Sequence, residues 1–123
     1  MPGNKILLVE DQESLLKLES ILLTSRGFDV KGVSDGPAAL AALSDELPDL
    51  MLLDVMLPGL DGFQVCRLVK ENERTRQIPV IIVTARKSHL DMQLSIEAGA
   101  DDYIVKPFKS AMLLETIQKH IRK

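Results

Sequence analysis

The chain has little of what several functional classes require. Among its 123 residues are one cysteine, no tryptophan, one tyrosine and three phenylalanines, and the net charge is −3. A single cysteine, Cys66, excludes an internal disulfide and fits a reducing compartment. The lack of a basic stripe argues against direct nucleic-acid binding, and no stretch resembles a signal peptide or a membrane span. These features predict one cytoplasmic domain over residues 1–123.

Short apolar runs recur along the chain, and helical patterns lie between them. The runs scarcely alternate with polar residues, which is typical of parallel strands buried on both faces. Clear strand patterns end at residues 9, 53, 83 and 105, and helices are predicted at 12–26, from 35–37, at 63–72, 88–98 and 110–121. The alternation predicts a doubly wound α/β fold with a five-stranded parallel sheet in the flavodoxin-like order 2-1-3-4-5 and helices on both faces.

Four of the predicted strands end in residues that suit metal-assisted phosphoryl chemistry. Glu10 and Asp11 follow the first strand, Asp54 the third, Thr84 the fourth and Lys106 the fifth. Ligands of open α/β sheets bind outside the carboxyl ends of the strands. With this strand order, the three acids should meet where strands 1 and 3 lie side by side.

Three carboxylates at one edge need compensating positive charge. At a separation of about 5 Å and an effective dielectric of about 20, each pair of like charges costs roughly 3 kcal/mol. Lys106 and a bound cation are the candidates, and oxygen-only ligands favour Mg²⁺ when a phosphate completes its shell. A carboxylate in such a site can attack a phosphoryl group and form an acyl phosphate, while the metal, Lys106 and Thr84 stabilise the phosphoryl oxygens.

Four segments together resemble the receiver domain of bacterial response regulators. They are LVED at 8–11, LDVMLPGLDG at 53–62, VTA at 83–85 and GADDYIVKPF at 99–108, and the resemblance extends over roughly residues 5–121. It implies a switch that a sensor histidine kinase or phosphotransfer protein phosphorylates. It also implies a helix 4, strand 5 and helix 5 surface that controls an effector or a fused output domain, with a phosphorylation-dependent dimer as one form of output.

The resemblance further implies roles for the residues at the strand ends. Asp54 would be the phosphoacceptor, and Lys106 would pair first with its carboxylate and then with the phosphoryl group. Mg²⁺ would be held by the carboxylates of Asp11 and Asp54 and by the backbone carbonyl of Met56, with Glu10 acting through water. Only self-phosphorylation and self-dephosphorylation chemistry would be expected, not turnover as an enzyme.

The remaining implied roles concern switching and timing. Thr84 and Tyr103 would move together on phosphorylation, Met56 and Arg86 would tune dephosphorylation, and the peptide bond before Pro107 would be cis. Single residues also have plainer interpretations. Asp11 could cap the first helix, Thr84 could be an ordinary strand residue, and Tyr103 could belong to the core.

Three other functions share parts of this pattern. A flavin binder needs a hydroxyl- and amide-rich phosphate loop after strand 1, where this chain has acids. A phosphatase with an aspartyl nucleophile commonly carries a second acid two residues later, where this chain has Met56. A pure interaction module has no need of the complete set Asp11, Asp54, Thr84 and Lys106.

Three further predictions concern residues outside the cluster. Cys66 is expected to be partly buried packing, and His89 and His120 are expected to be solvated. The fourth helix has two apolar stripes, Met92 with Ile96 and Leu90 with Leu94. A helix on a sheet buries about one face, and the stripe with Leu90 and Leu94 is predicted to stay exposed.

Overall fold

The computed structural model describes residues 4–85 and 89–121, in which strands and helices alternate. The strands are β1 Lys5–Val9, β2 Asp29–Val33, β3 Leu50–Asp54, β4 Val80–Thr84 and β5 Asp102–Val105. The helices are α1 Glu13–Ser25, α2 Gly36–Asp45, α3 Gly62–Glu71, α4 His89–Glu97 and α5 Ser110–His120. The strands pair in parallel in the order β2-β1-β3-β4-β5, which confirms the predicted fold. None of the described helices is long and apolar enough to cross a membrane.

The strand side chains point alternately to two apolar layers, one on each face of the sheet. Leu7 and Val9 of β1 pack with α2 and α3, whereas Ile6 and Leu8 pack with α1 and α5. Because β1, β3 and β4 are buried on both faces, their sequences are nearly continuous apolar runs, whereas the edge strand β2 is mostly exposed and has the sequence DVKGV. Cys66 lies in the first layer and is fully buried, more so than predicted, and burial raises the pKa of its thiol to about 11.

The helix ends follow the signals in the sequence. Gly27 and Gly99 come just after α1 and α4 and have φ of 93° and 91°, a left-handed conformation that favours glycine. Asp35 and Asp61 cap α2 and α3 by accepting hydrogen bonds from the backbone N–H of Ala38 and Gln64. Asp61 and Gly62 thus form the start of α3.

The prediction for the exposed stripe of α4 was wrong. Met92 and Ile96 are the exposed residues, Ile96 by 73%, and Leu94 is half-buried. The Leu90 side chain lies outside the described part of the chain. The α4 sequence has apolar residues on opposite sides, so the docking of the helix, not its pattern, decides which stripe faces the sheet.

Candidate functional site

The predicted acids meet at the carboxyl edge of the sheet. Strands β1 and β3 are neighbours with Val9 opposite Leu53, so the residues after them, Glu10 and Asp54, come side by side. Glu10, Asp11 and Asp54 each offer a carboxylate oxygen, and these atoms lie within 4.8 Å of one another. Asp11 is exposed and does not cap α1, whose N-cap is Gln12. The capping interpretation of Asp11 is therefore wrong, and its carboxylate faces the cluster.

Lys106 brings a positive charge to this cluster from the end of β5. Its ammonium donates to Glu10 Oε1 at 2.6 Å and to Asp54 Oδ2 at 3.2 Å. The Lys106–Pro107 peptide bond is cis, as the resemblance implies. Lys106 follows β5, yet it contacts an acid that follows β1 and an acid at the end of β3.

Burial makes the charges of this cluster energetically important. Asp54 is 6% exposed and Glu10 is 2% exposed. Burial raises the pKa of the Glu10 carboxyl, although its hydrogen bonds with Lys106 and with the Gln12 N–H act in the opposite direction. Burial also lowers the pKa of Lys106, but the hydrogen bond to Glu10 and the charges of Asp54 and Glu10 outweigh this and raise it overall. The lysine is therefore held as an ammonium.

The backbone around Asp54 fixes the position of its carboxylate. The Met56 N–H donates to Asp54 Oδ1 at 3.0 Å, and the Gly62 N–H donates to the Val55 carbonyl at 2.9 Å. A Cβ atom on Gly62 would lie 2.2 Å from the Asp54 carbonyl oxygen. The first turn of α3 therefore rests directly on the end of β3, which only glycine allows.

Thr84 and Tyr103 lie on the two strands beside the cluster. Thr84 ends β4 and is fully buried, and its carbonyl accepts from the Lys106 N–H at 2.8 Å. Tyr103 is half-buried and packs against the apolar layer under α3. Thr84 is thus tied through the backbone to the lysine of the cluster, and Tyr103 lies one strand further out.

A cleft opens above these residues. Its volume is about 790 Å³, and its walls include Asp11, Asp54, Met56, Ala85 and Lys106. Met56 is 57% exposed at its rim. The cleft therefore gives solutes access to the Asp54 carboxylate. Arg86, the other residue predicted to tune the site, lies outside the described residues.

The donor set of the cleft fits a hard divalent cation. Three carboxylates face one ammonium, so a full set of ionised acids exceeds the positive charge of Lys106. Every side-chain ligand candidate is an oxygen, and the nearest nitrogen is protonated and cannot bind metal. Such a site suits Mg²⁺ better than a softer metal.

This arrangement coincides with a known family. The model of the response regulator receiver domain matches residues 6–118. The chain belongs to that family. Receiver domains are regulatory units of two-component systems, and phosphorylation switches them between states.

Two relatives of known sequence are response regulators of greater length. The chain is 40% identical to the DNA-binding response regulator MtrA of Mycobacterium tuberculosis over 119 residues, which cover 97% of this chain and 51% of MtrA. It is 42% identical to the response regulator PleD of Caulobacter vibrioides over 118 residues, 96% of this chain and 26% of PleD. The chain thus spans about half the length of MtrA and a quarter of PleD.

Solved receiver structures share the whole fold. The BeF3-activated N-terminal receiver domain of Klebsiella pneumoniae RstA has a TM-score of 0.91 and 38% identity, covering 98% of this chain and all of that one. The receiver domain of a sensor histidine kinase from Pseudomonas aeruginosa PAO1 has a TM-score of 0.89 and 36% identity, covering 96% and 97%. That structure has a magnesium ion coordinated in its active site cleft.

The sequence did not predict two features of the structure, the contact of His120 and the position of Glu19 near Lys106. His120 was expected to be solvated, but its Nε2 lies 2.8 Å from Asp102 Oδ2. Glu19 was not considered, yet it is half-buried on α1 close enough to Lys106 for that charge to affect its pKa. A signal for Glu19 existed, because Leu15 and Leu22 flank it at helical spacing and mark its face as the inner one. His89 has its side chain outside the described part of the chain.

Proposed function

We propose that Asp54 is the phosphoacceptor of this receiver domain and that Lys106 is its electrostatic partner. The observation that carries the proposal is the contact of one ammonium with Asp54 Oδ2 and Glu10 Oε1 at the open edge of the sheet. A buried carboxylate is costly without a partner, and Asp54 faces a cleft where a phosphoryl donor has access. A purely structural acid has no need of that access.

The proposed reaction follows from the groups around Asp54. A carboxylate oxygen attacks the phosphorus of a phosphohistidine or of a small donor, the bond to the leaving group breaks, and an acyl phosphate forms. The Met56 N–H holds Asp54 Oδ1, which orients the carboxylate for attack. The Lys106 ammonium then transfers its hydrogen bond to the phosphoryl oxygens and stabilises their charge.

Three residues are proposed as side-chain ligands or supports for Mg²⁺. Asp11 and Asp54 would bind it by their carboxylates, the Met56 carbonyl would add a backbone ligand, and Glu10 would act through water. A bound Mg²⁺ supplies charge neutralisation on the phosphoryl oxygens. Since Asp11 is the exposed member of the cluster, it offers the least costly carboxylate to the metal.

The acyl phosphate would act on the rest of the domain through Thr84 and Tyr103. The Thr84 hydroxyl would bind a phosphoryl oxygen, and the Tyr103 ring would turn inward into the space behind it. The change would shift the population of two packings of the α4, β5 and α5 surface. Met56 lines the cleft, and Met56 and Arg86 would set how fast water removes the phosphoryl group.

The partners follow from the same chemistry. The donor would be a sensor histidine kinase or a phosphotransfer protein of the cytoplasm, and the receiver of the signal would be an effector, an output domain or a second copy of the domain. Residues 1–123 would act as one receiver unit in either setting. Direct nucleic-acid binding is not proposed for this unit, and its own chemistry would be limited to gaining and losing the phosphoryl group.

The test is phosphorylation by acetyl phosphate, read by intact mass. We expect the mass to rise by one phosphoryl group when Mg²⁺ is present and to stay unchanged after chelation. Asp54→Asn should prevent the gain. Asp61→Asn is the matched control, because Asp61 lies on the same loop but caps α3. Equal labelling of the Asp54 variant and the wild type would refute the assignment.

A further inference from the structure

A second cavity also borders Lys106, and Asp54 is not among the residues that line it. It has a volume of about 490 Å³, and its walls are mostly apolar side chains of α1 and of the segment before α5, among them Leu15, Leu22 and Phe108. Glu19 and Lys106 are the charged residues that line it. Lys106 lines this α1 cavity as well as the Asp54 cleft. Lys106 therefore lines two cavities, one of which is also lined by Asp54 and the other by Glu19.

Glu19 is a half-buried acid without a salt bridge among the described residues. Burial raises the pKa of its carboxyl to about 7, the charges of Glu10 and Asp54 add to this effect, and Lys106 opposes it. The charged groups that face Glu19 are Glu10 after β1, Asp54 at the end of β3 and Lys106 after β5. The first turn of α5 contributes only the uncharged Ser110 to the wall.

The Lys106 ammonium can change its position when the charge of Glu19 changes. Its contact with Asp54 is the longer of its two, 3.2 Å against 2.6 Å to Glu10. The ammonium stands on a flexible four-carbon stem and has three donors. An ionised Glu19 offers a further carboxylate in the α1 cavity, which Lys106 lines and Asp54 does not.

We propose that Glu19 is a positioning residue for phosphoryl transfer, which acts through Lys106 across the α1 cavity. The ionised carboxylate draws the Lys106 ammonium towards α1 and weakens its hold on Asp54 and on incoming phosphoryl oxygens. The neutral acid leaves the ammonium with Asp54. The effect on transfer rests on the proposed function of Asp54, whereas the response of Lys106 to Glu19 does not.

The first experiment observes the Lys106 ammonium directly by NMR in the unphosphorylated protein. Its nitrogen signal should move between about pH 6 and about pH 8 with a midpoint of about 7, the pKa of Glu19. Glu19→Gln should remove that transition, and Glu19→Asp should restore one. Glu115→Gln, on an exposed position of α5, should leave it unchanged. A Lys106 signal that titrates alike in wild type and Glu19→Gln overturns the proposal.

The second experiment measures the rate of phosphorylation by acetyl phosphate at saturating Mg²⁺ across the same pH interval. The two proteins should react equally at about pH 6, and Glu19→Gln should react about threefold faster than wild type at about pH 8. Parallel pH profiles would overturn the effect on transfer. If neither protein gains a phosphoryl group, the proposed function of Asp54 fails, and the Lys106 signal still decides whether Glu19 acts on that lysine.

Discussion

The two edges of the sheet use charge in opposite ways. At the amino edge Asp101 and Asp102 each have separate partners. Asp101 Oδ2 accepts from the Val80 N–H and from the Lys70 ammonium, both at 2.8 Å, and Asp102 contacts His120. At the carboxyl edge Glu10, Asp11 and Asp54 crowd around Lys106.

The charges at the amino edge therefore contribute to stability, whereas those at the carboxyl edge form the candidate functional site. At the amino edge, paired charges satisfy the carboxylates of Asp101 and Asp102. At the carboxyl edge, crowded acids raise the energy of the free protein, and under the proposed function a cation or a phosphoryl group with its metal would lower it. Since both edges contain a half-buried lysine bound to an acid, matched substitutions can test the contrast.

The largest effect is expected from Lys106→Met, which removes the ammonium of the carboxyl edge. Two buried acids then lose their partner, and we expect the free energy of unfolding to fall by about 3 kcal/mol in urea titrations at neutral pH. Phosphorylation by acetyl phosphate should be lost as well. A variant that is destabilised but phosphorylated at the normal rate would mean that Lys106 serves structure alone.

Lys70→Met is the matched change at the amino edge. Lys70 donates to the Ile78 carbonyl at 2.7 Å and pairs with Asp101. Its loss should cost about 2 kcal/mol of stability while phosphorylation of the folded protein continues. If this variant fails to accept phosphate although it is folded by circular dichroism, the two edges are not separate in function.

Asp11→Ala should sharpen the contrast by changing ligand binding without loss of stability. One carboxylate ligand disappears, so Mg²⁺ affinity should fall at least about tenfold, or roughly 1.4 kcal/mol. Removal of one of the crowded charges should leave the metal-free protein as stable as wild type or slightly more so. Unchanged affinity in a calorimetric titration would place the metal elsewhere.

The smallest effect is the pH dependence of stability due to Glu19. The pKa of Glu19 in the folded protein, about 7, lies above its ordinary value of 4.5. The contribution of Glu19 to the free energy of unfolding is therefore fully present at pH values below 4.5 and is lost as the pH rises through about 7. Relative to Glu19→Gln, the wild type should lose about 1 kcal/mol between about pH 5 and about pH 8, a figure reduced for partial exposure. Equal slopes in the two unfolding curves would contradict this.

The sequence predicted the fold because its main signals are local and agree with one another. The strands β1, β3 and β4 are nearly continuous apolar runs, and Gly27, Gly99 and Asp61 mark helix ends by their own chemistry. The strand order then followed from general rules for parallel sheets. The acids and Lys106 were predictable as a cluster because each directly follows a strand.

Features that depend on the docking of one element on another were not predictable from the pattern. Two apolar stripes of α4 compete for the sheet, and nothing in the helix shows that Met92 and Ile96 stay outside. The contact of His120 with Asp102 joins the end of α5 to the start of β5, and its partner cannot be inferred from spacing. The relation of Glu19 to Lys106 also arises only when α1 lies beside the segment that follows β5.

The ion pair between Lys106 and Glu10 joins residues 96 positions apart, from the first strand to the last. A ribosome releases the acids Glu10, Asp11 and Asp54 long before it releases Lys106. Until β5 joins the sheet, a nascent chain therefore has the carboxylate of the proposed acceptor, Asp54, without the Lys106 ammonium. Such non-local contacts form late in folding. We therefore expect a newly synthesised molecule to respond to its kinase only after the whole sheet is complete, so that unfinished chains neither consume phosphoryl groups nor send a signal.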